Sequence, residues 1–325
     1  MNKEKNLSII IPHYNCPQYL RTLLLSIPNI PDIQVIVVDD KSTEYREEYG
    51  QLKEEFTGKN IAFYDNDGTK SAGTCRNIGL RKAVGKWLLF ADADDYFMDG
   101  FYDVAVGYMD SDYDIVFFPP TSVVMGTETL SDRHLVMATS VLDYDKNPDW
   151  QNTLVLRYKL IGPCSRLIRR EMVLKNEIWF EEIIASNDVM FAVKCGYASK
   201  KIAVDTRVIY CITSCEGSLT TQVREEVLDA RMGTFLRRFL FLKERLSVEE
   251  MNVLHMDENG RNRILYALQN GYPIRKVCRT VKEYHKYGIR IWGRELCVRP
   301  WHCLHIIFDS LWIRFTLKGK REHVI

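Results

Sequence analysis

The sequence lacks the patterns that mark several protein classes. Its nine cysteines are an odd number and include no Cys-x-x-Cys pair, which argues against a disulfide framework and favours a reducing compartment. Cys211 and Cys215 are the closest pair, but no nearby His or Cys completes a zinc set. No apolar run approaches the roughly 20 residues of a membrane-spanning helix. Residues 7–11 are too few for the core of a signal peptide.

The balance of charge differs between the two ends of the chain. Its net charge is only +1, but residues 259–325 contain fourteen Lys/Arg and four Asp/Glu. The first 258 residues hold thirty basic and thirty-nine acidic residues. This asymmetry predicts a basic C-terminal segment that contacts an anionic surface.

Apolar segments alternate with helical patterns in the first third of the sequence. The predicted strands are residues 7–12, 34–38, 61–64 and 86–91, and the predicted helices are residues 18–27, 44–56 and 74–83. This order predicts an α/β fold with a mostly parallel, doubly wound sheet. No Gly-x-Gly-x-x-Gly follows the first strand, which excludes a Rossmann dehydrogenase.

The rest of the chain is predicted to change from mixed to helical structure. Further strands are expected at residues 114–118 and 203–212, with loop-and-helix segments at 162–176 and 183–198. After residue 222 the pattern predicts three helices: 225–243, a second from a capping box at Ser247 and Glu250 to Gly271, and 274–287.

Polar side chains follow three of the predicted strands. These clusters are His13-Tyr14-Asn15, Asp39-Asp40 and Asp92-Ala93-Asp94-Asp95. Ligands of such sheets lie beyond the carboxyl ends of the strands, so the three clusters are expected to form one site. Carboxylates this close raise one another's pKa unless a cation neutralises them. The acidic cluster therefore predicts Mn²⁺ or Mg²⁺ with a phosphorylated substrate, although an acidic loop that caps the next helix is the plainer alternative.

Four segments, in this order and spacing, resemble family 2 glycosyltransferases of the type that builds bacterial polysaccharides. They are Ser-Ile-Ile-Ile-Pro-His-Tyr-Asn (8–15), Val-Ile-Val-Val-Asp-Asp (35–40) with Ser42, Gly-Thr-Cys-Arg-Asn-Ile-Gly-Leu (73–80) and Phe-Ala-Asp-Ala-Asp-Asp-Tyr (90–96). Asn187-Asp188 and Ser-Leu-Thr (218–220) resemble the family's acceptor-side segment. The resemblance covers residues 6–220. It implies a GT-A catalytic domain over 1–222 and a helical, basic extension over 223–325.

The resemblance implies that a sugar moves from a UDP-sugar to a hydroxyl of a glycan or lipid-linked acceptor, with inversion. Its implied donor-binding residues are Pro12, Tyr14, Asp40, Gly73, Arg76 and Asp92. Asp40 would accept a hydrogen bond from the N–H of the uracil base, and Tyr14 would stack beside that base. Arg76 would pair with the diphosphate. Asp94 and Asp92 would hold the metal, and Asp188 would be the general base. The loops around 119–165 would select the sugar and acceptor.

Each of these residues also has a structural alternative. Tyr14 and Pro12 are typical of turns, Arg76 of a surface salt bridge, and Asp188 of a helix N-cap. Asp39 is expected to cap the turn that follows it, and Asp95 either ligates the metal or caps the next segment. Asn187 stands where the family often has Glu, so the pKa of Asp188 should be raised less.

Two other functions stay open at this point. A nucleotidyltransferase would show a Gly-rich basic loop after the first strand, which is absent here. A catalytically inactive protein that binds sugar nucleotides would not need Asp92, Asp94 and Asp188 together.

The C-terminal region is expected to contact a membrane or to pack on protein. Residues 300–317 place aromatic and aliphatic side chains at helical spacing between basic flanks, which suits an interfacial helix on an anionic membrane over residues 299–321. Packing on the catalytic domain or on a second subunit is the alternative, so the oligomeric state stays open. The expected location is cytoplasmic, with peripheral contact at the inner face of the cell membrane, and nucleic acid is not an expected partner.

Overall fold

The structure is a computed structural model that describes residues 5–214, 224–291 and 309–310. The chain divides into two compact units, residues 1–220 and 221–325. The domain boundary predicted between residues 222 and 223 lies outside the described residues and stays a prediction.

The first unit contains ten described strands. They are β1 (Leu7–His13), β2 (Ile33–Asp39), β3 (Ile61–Asp65), β4 (Trp87–Phe90), β5 (Tyr96–Phe97), β6 (Ile115–Phe117), β7 (Thr121–Val124), β8 (Arg166–Arg169), β9 (Ile202–Val204) and β10 (Tyr210–Ser214). Its helices are α1 (Pro17–Leu25), α2 (Arg46–Glu55), α3 (Ala72–Lys82), α4 (Phe101–Val106), α5 (Leu135–Lys146), α6 (Trp150–Leu154), a π-helical turn (Val155–Lys159), α7 (Arg170–Lys175) and α8 (Val189–Ala198).

A seven-stranded sheet with the order β3-β2-β1-β4-β8-β6-β9 forms the centre of this unit. The pairs β1·β2, β2·β3, β1·β4 and β6·β9 are parallel. Only β8 runs antiparallel to its neighbours, β4 and β6. The predicted α/β class with a mostly parallel sheet is therefore confirmed. A smaller sheet with the order β5-β10-β7 lies beside it in the same unit.

Both faces of the large sheet are buried, because its central strands are apolar at nearly every position. Ile9 and Ile11 belong to one apolar cluster, with side chains of α1 and α2. Ile10, between them, belongs to a second cluster with side chains of α3 and α8. Alternate residues of a strand point to opposite faces, so helices cover both sides of the sheet.

Two sequence predictions in this unit are wrong. The single strand expected over 203–212 is two strands, β9 in the large sheet and β10 in the small one. Between them Asp205 accepts hydrogen bonds from the backbone N–H and the guanidinium of Arg207, which holds the chain in a turn. The loop expected at the start of 162–176 contains β8, a four-residue strand whose short apolar stretch carries no visible period.

The second unit is helical where it is described, with α9 (Glu225–Lys243), α10 (Val248–Val253), α11 (Met256–Gln269) and α12 (Ile274–Tyr287). The predicted capping box at Ser247 and Glu250 is confirmed. The helix expected from Ser247 to Gly271 is interrupted at His255, whose φ of 51° is left-handed.

No helix within the described parts of the chain is long and apolar enough to cross a membrane. The segment predicted to contact a membrane, residues 299–321, lies outside the described residues except for 309–310. The segment 218–220 also lies outside the described residues.

Candidate active site

The three polar clusters lie together at one edge of the large sheet. β1 is hydrogen-bonded to β2 on one side and to β4 on the other, and all three run parallel. Their carboxyl ends therefore meet at the same edge. His13 lies opposite Asp39 in the register, and Asp92 follows two residues after β4.

His13 and Asp39 form the buried base of this edge. The backbone N–H of Cys16 donates to Nε2 of His13, so Nδ1 carries the proton that it donates to Asp39 Oδ1 at 2.8 Å. Asp39 also accepts from the backbone N–H and hydroxyl of Ser42. Burial would raise the pKa of Asp39, but the bonds from His13 and Ser42 outweigh it and lower that pKa. As predicted, Asp39 holds the turn that follows it.

Asp40 is buried beside the loop that follows β3. Its Oδ1 accepts from Asn66 Nδ2 at 2.7 Å and from the backbone N–H of Ser71 at 3.1 Å. Asn66 Oδ1 in turn accepts from the backbone N–H of Gly68. The carboxylate is thus fixed in orientation by the loop and by the cap residue of α3.

Tyr14 lies at the open side of the site, with 43% of its surface exposed. The ammonium of Lys70 lies 3.8 Å from the centre of the Tyr14 ring. Pro12 is the penultimate residue of β1 and pairs with Val38 in the parallel register. Tyr14 therefore offers an exposed aromatic ring one residue after His13, whose carbonyl oxygen accepts from the backbone N–H of Asp40, whereas Pro12 is part of the sheet.

The acidic cluster divides into one buried structural carboxylate, Asp95, and two that are partly exposed, Asp92 and Asp94. Asp95 accepts from the hydroxyl of Tyr210 at 2.7 Å and from the backbone N–H of Thr213 at 2.7 Å. The Tyr210 hydroxyl also accepts from the backbone N–H of Asp92. Asp95 and Tyr210 therefore tie the acidic cluster to β10 of the small sheet.

Asp92 and Asp94 are in different electrostatic situations. The Asp92 side chain is 44% exposed and forms an ion pair with Arg76 at 2.6 Å. Burial, together with the charge of Asp92, raises the pKa of Asp94 to about 6, and the charge of Arg133 opposes this rise. Arg133, in the 119–165 region, donates to the carbonyl oxygen of Thr213. Asp94 is thus a carboxylate whose charge the described protein compensates poorly.

Arg76 forms a salt bridge with Asp92, as the predicted alternative had it, but Arg76 is buried and not at the surface. Its guanidinium donates to Asp92 Oδ1 at 2.6 Å and to Asn187 Oδ1 at 2.9 Å, while its Nε has no hydrogen-bond partner. Burial disfavours the charged form, but the carboxylate of Asp92 outweighs this and raises the pKa of Arg76. Arg76 therefore connects the acidic cluster to the segment that carries Asp188.

One face of α3 packs directly on the segment 180–188. Asn77 exchanges hydrogen bonds with both backbone groups of Phe180. A Cβ on Gly73 would lie 2.2 Å from the carbonyl oxygen of Glu181. Gly73 is therefore required for close approach of two backbones.

The start of α3 differs from the prediction. Ser71 caps this helix by accepting from the backbone N–H of Thr74, so α3 begins earlier than the predicted residue 74.

Asp188 lies at the N-cap position of α8, but its side chain makes no cap hydrogen bond. The structure thus gives no support to the alternative that Asp188 is a helix cap. Burial raises its pKa, and the neighbouring charge of Arg76 opposes the rise. Its neighbour Asn187 instead accepts from Arg76 through its side-chain oxygen, so the residue next to Asp188 contributes an uncharged amide.

Three polar residues that shape the site were missed by sequence reasoning. Asn66 follows β3 in the same way as Asp40 follows β2, so the strand-end rule could have found it. Asn77 and Thr213 act through contacts more than a hundred residues apart along the chain. No local sequence signal reveals such contacts.

Comparison with known proteins identifies the class of this site. Residues 8–175 match the sequence profile of Glycosyl transferase family 2. The matched residues are just over half of the chain. The chain belongs to glycosyltransferase family 2.

Two relatives of this glycosyltransferase have names that refer to poly(ribitol phosphate) or to teichoic acid. Poly(ribitol-phosphate) beta-N-acetylglucosaminyltransferase TarS of Staphylococcus aureus is 27% identical over 220 residues, which are 65% of this chain and 36% of TarS. Minor teichoic acid biosynthesis protein GgaB of Bacillus subtilis is 31% identical over 188 residues, 54% of this chain and 19% of GgaB. The match thus spans about a third of TarS and a fifth of GgaB.

Solved structures share the fold of the glycosyltransferase. The crystal structure of S. aureus TarS 1–349 in complex with UDP-GlcNAc has a TM-score of 0.57 and 19% identity, covering 97% of this chain and 92% of that chain. The mannosyltransferase PcManGT from Pyrobaculum calidifontis, solved with GDP-Man and Mn²⁺, has a TM-score of 0.56 and 15% identity, covering 97% and 87%. The predicted GT-A fold is confirmed.

Proposed function

We propose that this glycosyltransferase moves a sugar from a UDP-sugar to a hydroxyl of a glycan or lipid-linked acceptor, with inversion and with a divalent cation. The observation that carries the proposal is the position of Arg76, which bonds both to Asp92 and to the residue before Asp188. Arg76 thereby connects a donor-side carboxylate with a candidate base. The UDP-GlcNAc in the TarS structure supports a UDP-sugar as donor.

Asp40 and Tyr14 would hold the base of the nucleotide. The buried Asp40 carboxylate is an acceptor-only group when ionised and suits the N–H of uracil. Asn66 and Ser71 fix its orientation. The exposed ring of Tyr14 offers a surface for stacking with the base. The Lys70 ammonium lies over one face of this ring, so the base would stack on the opposite face or displace the ammonium.

Asp94 and Asp92 would hold Mn²⁺ or Mg²⁺. No group of three or more His, Cys, Asp or Glu side chains within the described residues could hold a metal alone. A site of one or two carboxylates completed by substrate phosphates is typical of Mg²⁺. The pKa of Asp94 is raised first by burial and then by the charge of Asp92, so a cation would stabilise its ionised form. When bound, the cation would neutralise the diphosphate charge.

Asp188 would accept the proton of the acceptor hydroxyl. Its partly buried carboxylate has a raised pKa, which strengthens it as a base, and the charge of Arg76 limits the rise so that it ionises more readily. Gly73 and Asn77 hold α3 against the segment 180–188, which fixes the distance between the donor side and this base. The acceptor would lie on the Asp188 side. The names of TarS and GgaB add poly(ribitol phosphate) and teichoic acid to the acceptors that should be tested.

The Asp188→Asn variant tests this assignment. It keeps the size of the side chain and removes the proton acceptor, so transfer from UDP-GlcNAc should fall by roughly 10²-fold or more while UDP affinity persists. Transfer is measured as the release of UDP in the presence of a panel of acceptors, and the affinity for UDP is measured by calorimetry. Asp145→Asn, at an exposed position of α5, is the matched control. Full transfer by Asp188→Asn would assign the base to another residue.

A further inference from the structure

One face of α12 carries a row of basic side chains. Arg275, Arg279, Lys282 and Lys286 follow one another at intervals of four, three and four residues, and all four are exposed. At 3.6 residues per turn these intervals place the four side chains on one stripe, which is about 16 Å long at 1.5 Å per residue. We call these four residues the basic stripe.

The opposite face of α12 anchors the helix in its own unit. Val277 and Tyr284 are buried, and the Tyr284 hydroxyl donates to the carbonyl oxygen of Met232 in α9. Lys276, outside the stripe, pairs with Glu225 and Asp229. The basic stripe is therefore held outward, and the structure shows no ion pair between its members and any carboxylate of the described residues.

A row of four cations without such partners selects an anionic ligand. The stripe lies on a convex helix face, which cannot enclose a small anion or a polymer. Lipid headgroups in a membrane are laterally mobile and can match four long side chains at whatever spacing they adopt. Surface cations contribute about 1 kcal/mol each near anionic lipid, which is about a fivefold change in binding per cation.

We propose that the basic stripe of α12 is a docking surface for an anionic membrane. This surface is distinct from the segment 299–321 expected from the sequence. It lies in the second unit, and the inference does not depend on the donor, metal or base assigned above. A membrane contact made by the basic stripe is electrostatic, because the stripe itself carries no apolar side chain. Val277 and Tyr284 are buried, and Ile274, at the start of α12, is exposed.

The test is sedimentation of the full chain with vesicles of neutral lipid or of neutral lipid mixed with anionic phosphatidylglycerol. The stripe variant replaces all four cations by Gln. The control variant, Arg81→Gln with Lys146→Gln, Lys175→Gln and Lys200→Gln, removes the same charge from exposed positions of the first unit. At low salt the stripe variant should lose roughly 10²–10³-fold in binding to anionic vesicles, and the control should lose much less. Both should keep the affinity for UDP.

Alkylation of Cys278 gives a second measurement on the unmodified chain. Cys278 is exposed and lies three residues after Arg275 and four before Lys282, so it borders the basic stripe. Its alkylation, followed by mass spectrometry of the peptide, should be slower with anionic than with neutral vesicles. Added salt should abolish the difference, because exposed charges are screened.

Three results would overturn the proposal. One is unchanged vesicle binding by the stripe variant, which would assign the contact to other residues such as 299–321. Another is equal loss in both variants, which would make it an effect of net charge. The third is tighter, stripe-dependent binding of a soluble phosphodiester polymer than of vesicles, which would make the stripe a polymer site.

Discussion

The Asp94→Asn variant should be more stable than the wild-type protein when no divalent cation is present. In the folded protein, burial and the charge of Asp92 raise the pKa of Asp94 from 3.8 to about 6. Between these two values the folded state binds more protons than the unfolded chain, so stability falls as the pH rises. Above about pH 6 the full penalty is present, and Asn does not carry it.

The size of the effect follows from the pKa. Each unit of pKa corresponds to about 1.4 kcal/mol, so the full effect is about 3 kcal/mol, and contact with solvent reduces it to about 1–3 kcal/mol. For a domain of 150–250 residues, 1 kcal/mol shifts the melting temperature by roughly 2–4 °C. Asp94→Asn should therefore melt roughly 2–12 °C higher than wild type at pH 8, with little difference at pH 4.

Thermal unfolding in EDTA, followed by circular dichroism at both pH values, measures this difference. The exposed Asp145→Asn should show no change, and added Mn²⁺ with UDP should stabilise wild type but not Asp94→Asn, because only ligands of the folded state raise stability. If Asp94→Asn melted at or below wild type at pH 8, Asp94 would not be a poorly compensated carboxylate, and its assignment as a metal ligand would lose its physical basis.

Three further perturbations follow from the contacts of the site. Gly73→Ala should destabilise the protein by about 1–3 kcal/mol, because its Cβ would lie 2.2 Å from a backbone oxygen. Gly50→Ala, which has open space around it in α2, should stabilise the protein by roughly 0.5–1 kcal/mol. Urea unfolding of both variants measures these changes, and equal changes in the two would refute the clash at Gly73. Arg76→Met should move the acid limb of kcat/KM to higher pH, since the cation lowers the pKa of Asp188; an unmoved limb would separate the two residues. Tyr210→Phe removes a hydroxyl that donates to Asp95 and accepts from the backbone N–H of Asp92. It should lower the free energy of unfolding in urea by about 1–3 kcal/mol, and wild-type stability of this variant would contradict the role of the hydroxyl.

The site edge can be predicted from the sequence because parallel strands obey a simple geometric rule. Buried apolar runs identify β1, β2 and β4, and their carboxyl ends have to meet at one edge. This rule is enough to place Asp40 and Asp94 at the same edge of the sheet. The same reasoning identifies Asp39 as the residue that holds the following turn, because a buried carboxylate next to a turn needs donors.

What cannot be predicted depends on contacts between distant segments. Arg76 is expected at a surface or on phosphate, but its partner Asn187 lies 111 residues away along the chain. β8 carries no clear signal because it is four residues long and inserts antiparallel between two strands that precede it in sequence. The division of 203–212 between two sheets depends on the turn at Asp205, a tertiary feature without a periodic signal.

Calorimetric titration with UDP in the presence of Mn²⁺ tests the central claim most directly. The account predicts that wild-type protein binds UDP, that Asp188→Asn binds it with similar affinity, and that Asp94→Ala loses the Mn²⁺-dependent binding. No UDP binding by the wild-type protein, or the same Mn²⁺-dependent affinity in Asp94→Ala, would contradict it.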